Sequence, residues 1–600
     1  MCGIAGIYKI NSINSSDIEL LELMNKRQKH RGPDDNGVWN DNNCALGHVR
    51  LSIIDLSSDG HQPYISDNER FVLTYNGEIY NYLELRIELE KFGYKFKTKT
   101  DTEVLLKSYQ EWGKDCLAKF NGMFAFAIYD KKNNELFIAR DRVGVKPFYY
   151  TIVNERFYFA SETKSLKIIP KLNLSINNQA IFDYFVFNRT DVWDETFHNE
   201  IKRLPKGHWA IINSEGININ RWWNPSDYVS DTNYDINLQE AYAKIEEIFV
   251  SSVKLRMRAD VPVGSCLSGG LDSSIIAGIV SKYFPELKDN YKTFTAAFPG
   301  FDKDETAYVD LLQNKFHLQN YRTYPTAETL KEDMDIFIYH QDDPVPTTSP
   351  YAQFKLMEIA RQNDVIVLLD GQGGDESFAG YQYFHGYYLT SLLKSWKISN
   401  LFGEAWKIHT RKQKKEAYYI FSFQLLPDSV KKNILYKNHK YLNREFYETY
   451  IDSSIPYNAF FSNIGLNQSL ANHFNYKLEH LLRWEDRNSM AFSIEARVPY
   501  LDYRLIEYVL SLPEHVKIKA GETKYLQKNS VGKYSLPEIV NRKDKVGFAT
   551  PEKSWLKNMK FNDTETNSYL QGIFNNNSNI LNENLLFKKH SVKLIKTNNS

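Results

Sequence analysis

The pattern of apolar and polar positions divides the chain into two textures. Residues 1 to about 220 mix short β-rich runs with helical segments. Phe71-Val72-Leu73-Thr74-Tyr75 reads as a strand, and Met123 through Tyr129 is apolar on both faces, which predicts a buried strand. Leu83 to Phe92 places Leu83, Ile87 and Leu89 among charges at helical spacing. The polar, turn-rich stretch from Asn224 to Asn233 predicts a linker, taken as 221–236. Beyond it the texture changes. An amphipathic helix (Leu238 to Leu255) leads to an apolar strand (Val261 to Leu267), a Gly/Ser loop and an apolar helix (Ser273 to Phe284). Val365-Ile366-Val367-Leu368-Leu369 repeats the strand-then-glycine-loop pattern. Strands alternating with helices predict a parallel α/β sheet. Residues 380–480 are aromatic-rich and predict helices, and the Asn-rich end, 561–600, predicts a weakly ordered tail.

Composition changes this picture little. The 600 residues are enough for two to four domains, and a hydrophobic share of 42% excludes a mostly disordered chain. Lys plus Arg equals Asp plus Glu at 74 each, so the strong field of a dedicated nucleic-acid or anionic-membrane binder is not expected, although local basic patches remain compatible with that balance. No apolar run reaches the ~18 residues of a membrane span, and Met1 to Gly6 lacks the basic-then-apolar pattern of a secretory signal. The four cysteines (Cys2, Cys44, Cys116, Cys266) have no metal-like spacing. A cytoplasmic protein with neither nucleic-acid nor membrane partners is the resulting expectation.

Chemistry enters at Cys2. Loss of Met1 would leave a residue carrying both a thiol and an α-amine of pKa about 7.7–8.0, a nucleophile with its own base. His30-Arg31-Gly32-Pro33-Asp34, Arg50-Leu51-Ser52-Ile53-Ile54-Asp55, Asn76-Gly77-Glu78-Ile79-Tyr80-Asn81 and Thr100-Asp101 follow in order. Singly, Arg50 reads as a surface or salt-bridge residue and Asn76-Gly77 as a hairpin turn. Together with Cys2-Gly3-Ile4 they resemble the glutaminase domain of class II glutamine amidotransferases, which are N-terminal-nucleophile hydrolases. The resemblance covers about residues 2–210. It implies glutamine held by Arg50 (α-carboxylate), Leu51, Ser52, Ile53, Ile54, Glu78 and Asp101 (α-ammonium). Asn76 and Gly77 would donate to the oxyanion formed when the thiolate attacks the side-chain amide.

Ser268-Gly269-Gly270-Leu271-Asp272-Ser273-Ser274 lies between a predicted strand and helix, where backbone amides and a helix N-terminus favour an anion. It lacks the Gly-Lys-Ser/Thr ending of a Walker loop. It resembles the pyrophosphate loop of ATP pyrophosphatases. That resemblance implies an ATP site of Leu267, Ser268, Gly269, Gly270, Asp272, Ser273, Ala296, Asp370 and Gly371. Asp272 and Asp375 would hold Mg²⁺, and Lys524 would meet the α-phosphate. Glu485 to Met490 and Glu495 to Asp502 also match, as structural or substrate-side elements whose charges can equally form buried ion pairs.

The combination resembles glutamine-hydrolysing asparagine synthetases over about residues 2–550. The implied fold is a layered αββα N-terminal-nucleophile hydrolase domain (1–220), then an α/β ATP-pyrophosphatase domain with a parallel sheet and a helical C-terminal part (237–560). The implied substrates are glutamine, ATP and aspartate, and a homodimer is expected because such proteins often form one. One departure concerns the second loop, Asp370-Gly371-Gln372-Gly373, where many members carry Ser-Gly-Glu-Gly. The family glutamate supports acyl-adenylate formation; Gln372 keeps its length without its charge. The acceptor is therefore aspartate or another carboxylate, such as a sugar acid of surface polysaccharide. A β-lactam-forming relative and a catalytically silent binding module fit less well, because Cys2 and the remaining motif residues are present.

Overall fold

The computed structural model describes residues 2–10, 12–230, 236–288, 290–411, 414–543, 548–559, 570, 572–575 and 583–597. Cys2 leads directly into the strand Gly3–Tyr8, which pairs antiparallel with both Cys44–Arg50 and Arg156–Ala160. These belong to a six-stranded sheet completed by Asp35–Asn40, Tyr149–Val153 and Lys202–Arg203. A second six-stranded antiparallel sheet is centred on Gly122–Asp130, paired with Phe71–Ile79 and Glu135–Arg140. The two sheets share a dry interior that includes Ile4, Leu46, Val72, Ala127 and Phe159. Within the first sheet Gly6 pairs with Phe159, whose ring lies over it so closely that a Cβ at Gly6 would sit 2.1 Å away.

Helices cover both outer faces. Ser15–Arg27 lies on the first sheet through Leu21 and Met24, its start fixed by an Asn14–Asp17 capping box. Tyr82–Lys91 and Asp101–Trp112 lie on the second through Leu85, Leu89, Leu105 and Leu106. The result is the αββα layering expected of an N-terminal-nucleophile hydrolase. In Tyr82–Lys91 the buried pair is Leu85 and Leu89, four residues apart on one face, whereas Leu83 and Ile87 are exposed.

The C-terminal half is built on a five-stranded parallel sheet in the order Gln319–Thr323, Lys292–Ala296, Val263–Cys266, Val367–Leu369, Glu495–Arg497. Leu238–Arg256 and Leu271–Tyr283 pack on one face through Ile248, Phe249, Ile275 and Ile276. Ser349–Gln362 packs on the other, where Leu356 and Met357 meet Phe294 and Leu368. Helices then dominate from Phe384 to Ala491, as their aromatic-rich sequence predicts.

Two boundary expectations meet a different structure. The stretch expected as a linker opens with Trp223 buried, its Nε1 donating to Glu507 Oε1 at 2.8 Å, followed by the turn Pro225–Tyr228. Residues 231–235 of that stretch lie outside the described residues. In the expected weakly ordered tail, Glu583–Thr597 forms a helix that buries Leu585 and Phe587 against Leu330, Phe337, Ile573 and their neighbours. Its apolar positions recur at helical spacing, a signal masked by the surrounding asparagines. Residues 561–569, 571, 576–582 and 598–600 of that tail lie outside the described residues.

Candidate active sites

Cys2 sits where the two sheets of the N-terminal half come together. Its main-chain N donates to Asn76 Oδ1 at 3.1 Å, and its carbonyl accepts from Arg31 Nε at 3.1 Å. The Sγ lies 4.0 Å from Leu51 O. Burial pushes the thiol above its ordinary pKa, with the nearby Arg50 guanidinium opposing. Because Asn76 spends its oxygen on Cys2, its buried Nδ2 has no hydrogen-bond acceptor among the described residues. An unpaired buried donor is costly in a resting protein and useful where negative charge develops. The next residue, Gly77, is held so tightly that a Cβ there would lie 2.1 Å from Met123 O.

A pocket beside Cys2 is lined by Arg50, Leu51, Ile53, Ile54, Gly77, Glu78 and Asp101, all expected from the sequence. Thr100, quoted with Asp101 in the sequence motif, lines it too, and so do Gln62, Tyr75 and Thr102, which were not anticipated. Ser52 and Asn76 are not among the lining residues; the Ser52 amide instead donates to Asp34 Oδ2 at 2.8 Å. Arg50 points its fork at the carbonyls of Ser57 (2.7 Å) and Asp55 (2.5 Å). A carboxylate binding the Arg50 fork would have to displace those two carbonyls of the 55–57 loop. Thr100 caps the helix that begins at Asp101, which fixes that carboxylate at the pocket wall. Asp101 Oδ2 accepts from Tyr75 Oη at 2.8 Å and from Ile79 N at 2.9 Å. Burial outweighs these donors and raises Asp101 to about 6.

The second site opens at the ends of the parallel strands. A cavity of ≈ 390 Å³ is lined by Leu267, Ser268, Gly270, Asp272, Ser273, Ala296, Asp370, Gly371, Gln372, Asp375 and Lys524. Gly269 is not on its wall; it turns the loop with φ +80°, and a Cβ there would meet Glu305 O at 2.8 Å. Ser268 Oγ accepts from Gly270 N at 3.3 Å, so the loop folds over its own serine. The second glycine loop presses against the first: a Cβ on Gly374 would be 2.6 Å from Asp272 Oδ1. Lys524 Nζ, nearly buried and carried on a left-handed backbone (φ 55°), reaches Asp272 at 2.5 Å and Asp375 at 2.8 Å. Gln527, unanticipated, donates to Asp272 Oδ1 at 2.8 Å. Two carboxylates from different loops thus converge on one cationic point. That donor set suits a hard divalent ion whose remaining ligands come from phosphate and water.

Charged and apolar contacts join the halves. Arg31 binds Asp486 through both nitrogens (2.8 and 3.0 Å) and Glu162 at 2.9 Å, all buried. Arg497 lies between Glu495 (2.5 Å) and Glu78 (3.9 Å) of the Cys2 pocket. The motifs at 485–490 and 495–502 therefore serve the joint between the sites. Leu51, Ile53, Met123 and Val145 meet Val498, Leu501 and Met490 in one apolar cluster across the same joint.

A buried Cys2 held by Asn76 and a cleft between two glycine loops lie on one body, the arrangement of a glutaminase joined to a ligase. Comparison with known proteins agrees. The family model described as glutamine amidotransferase domain matches residues 1–223, and that described as asparagine synthase matches 244–576. Asparagine synthetase (glutamine-hydrolyzing) 1 of Bacillus subtilis is 32% identical over 93% of this chain and 88% of its own length. A putative asparagine synthetase (glutamine-hydrolyzing) 2 of Methanocaldococcus jannaschii is 35% identical over 72% and 85%. Amidase chyE of Penicillium rubens is 26% identical over 92% and 89%. The chain belongs to the asparagine synthase family of glutamine-hydrolysing ligases and is a glutamine-dependent amidotransferase.

Proposed function

We propose that the protein makes asparagine from aspartate, ATP and glutamine. One observation carries the reading: a Cys2 centre with a spare Asn76 donor and an Asp272/Asp375 cleft are joined through a buried apolar and ionic contact. In the first half, the Cys2 thiolate attacks the glutamine side-chain amide, and the carbonyl electrons become an oxyanion facing Asn76 Nδ2. Collapse expels ammonia and leaves a thioester, which water converts to glutamate. Arg50 and Asp101 pair with the two charges of the glutamine backbone.

In the second half, an aspartate β-carboxylate attacks the ATP α-phosphorus; pyrophosphate leaves, and the charge on phosphorus is met by Lys524. Asp272 and Asp375 would hold Mg²⁺, which neutralises charge on the departing pyrophosphate when bound. Ammonia then adds to the acyl carbon, a proton is lost, and AMP departs, leaving the amide. The apolar part of the joint, around Leu51, Ile53, Val498 and Leu501, would favour neutral ammonia over ammonium and keep water from the acyl adenylate.

A second reading, amidation of another carboxylate, is favoured by Gln372 in place of the family glutamate and by the amidase-named relative. An acceptor screen with ATP, glutamine and Mg²⁺, following AMP and amide, separates the two. Asparagine formation supports the first reading; strict dependence on a sugar acid replaces it with the second. In the same assay, Cys2→Ala is expected to abolish glutamine use while synthesis from high ammonia persists. Loss of both together would contradict two separable sites.

A further inference from the structure

The helix Ile398–Thr410 is apolar on two sides. Its inner side is accounted for: Ile408 is fully buried, and Leu401 and Ala405 pack on the same small core with Leu389 and Ala417. Its outer side is not. Ile398, Phe402 and Trp406 fall four residues apart in one row facing solvent, with Phe402 71% and Trp406 70% exposed. Trp396, just before the helix, is 85% exposed. Single exposed apolar residues need no explanation, but Phe402 and Trp406 one turn apart on the same helix, with Trp396 exposed just before it, do.

The charge around this row has one dominant sign. Among the side chains that the structure describes between 394 and 416, Lys394, Lys397, Lys407, Arg411 and Lys415 stand against Glu404 and Glu416. Glu404 points inward, accepting from Gly521 N at 2.8 Å, and pairs with Lys407. Even with Glu522, which Arg411 holds at 2.6 Å, counted in, these described side chains carry a net charge of +2 in a chain whose total is zero. Aromatic residues able to sit at headgroup depth, flanked in sequence by Lys394, Lys397 and Lys407, match an anionic lipid surface. A second copy of the chain is a poor occupant, because a two-fold contact would set this positive region against itself. No helix among the described residues is long and apolar enough to cross a membrane, so the face can lie on a bilayer and not through it.

We propose that Trp396 and the Ile398–Thr410 helix form a peripheral docking face for anionic membranes. This goes beyond the charge balance of the whole chain, which by itself predicts no membrane partner. The inner side of the same helix supports the 520–524 loop that carries Lys524, and Arg411 lines the cleft. A docked molecule therefore presents its synthetase cleft close to the bilayer.

The test is co-sedimentation of the full chain with vesicles of phosphatidylcholine, alone or with about 30% phosphatidylglycerol, read together with tryptophan emission. Wild type is expected to bind the anionic vesicles, with a blue shift, and to release as salt rises. The exposed triple variant Trp396→Ser/Phe402→Ser/Trp406→Ser is expected to bind roughly tenfold or more weakly. Lys394→Glu/Lys397→Glu, which leaves the aromatic row intact, should lose the preference for anionic lipid. Circular dichroism and glutamine hydrolysis check that both variants remain folded. Absence of wild-type binding at low salt, or equal binding by the triple variant, overturns the proposal. So does self-association that the triple variant abolishes in the absence of any vesicle binding. None of these readouts depends on which carboxylate the cleft amidates.

Discussion

At the scale of single residues, the proposed mechanism would divide two tasks between the two atoms of the Asn76 amide: Oδ1 accepts from Cys2 N, and the unpaired Nδ2 would meet the oxyanion. Two substitutions separate them. Asn76→Ala removes both, and its kcat for glutamine should fall by about 10²–10³ with a smaller change in KM. Asn76→Asp keeps an oxygen for Cys2 but replaces the donor with an acceptor. It should be as poor as the alanine variant, and a near-normal rate would show that the oxyanion relies on other groups. Asp101 gives a pH prediction of definite sign. Burial raises its carboxyl to about 6, and on the proposed reading only the ionised form would pair with the glutamine ammonium. The kcat/KM for glutamine should therefore decline below pH about 6, approaching tenfold per unit. Bound ammonium favours the carboxylate, so the break in kcat should lie at lower pH than the break in kcat/KM. Coincident breaks would assign the titration to another group.

At the scale of elements, the paired glycine loops make a claim about shape. Gly374 leaves no room for a methyl group beside Asp272 Oδ1. Gly374→Ala should displace Asp272 from Lys524 and depress ATP-dependent synthesis strongly, while glutamine hydrolysis at Cys2 continues at a rate near wild type. Equal loss of both activities would point to general misfolding. The loops were legible in the sequence because each follows an apolar run too short for a helix and ends in a glycine cluster, as at Leu369-Asp370-Gly371. The halves were legible for a similar reason: Met123–Tyr129 can only be a strand buried on both faces, and the alternation after residue 237 requires crossovers. Contacts between distant positions were not legible. No local pattern announces that Arg50 turns to the Ser57 and Asp55 carbonyls, or that Gln527 reaches Asp272. The helix Glu583–Thr597 was hidden by composition, because the asparagines before and after it obscure its six apolar positions. The Phe402–Trp406 row had the spacing of a core face, and only its exposure in the fold distinguishes it.

At the scale of the whole molecule, the two halves are locked by charges that neither could bury alone. Arg31 and Arg487 are fully buried and depend on Glu162 and Asp486, the second contributed across the joint. Burial opposes ionisation of both carboxyls, but the guanidiniums, together with His30 and Lys164 around Glu162, win and hold them below the usual carboxylate range. A depressed folded pKa contributes stability that is present above the unfolded value, about 4, and is lost as pH falls through the folded one. Acid should therefore loosen the joint below pH about 4 and have little effect at pH 6 to 8. Removing one partner tests the same lock at neutral pH. Asp486→Ala leaves two buried arginines short of a counter-charge and should cost about 3–5 kcal/mol, seen as a lowered denaturation midpoint. The loss should reach catalysis as well, because Arg31 Nε also holds the Cys2 carbonyl at 3.1 Å. Glutaminase activity should drop in Asp486→Ala although the substituted residue lies 455 positions from Arg31 in sequence and in the other half of the molecule. Arg31→Met/Asp486→Leu, which removes the pair and fills the space with apolar atoms, should regain much of the stability but not the glutaminase rate. If the double variant recovers both, Arg31 is only a structural counter-ion; if it recovers neither, the joint needs the charges themselves to assemble.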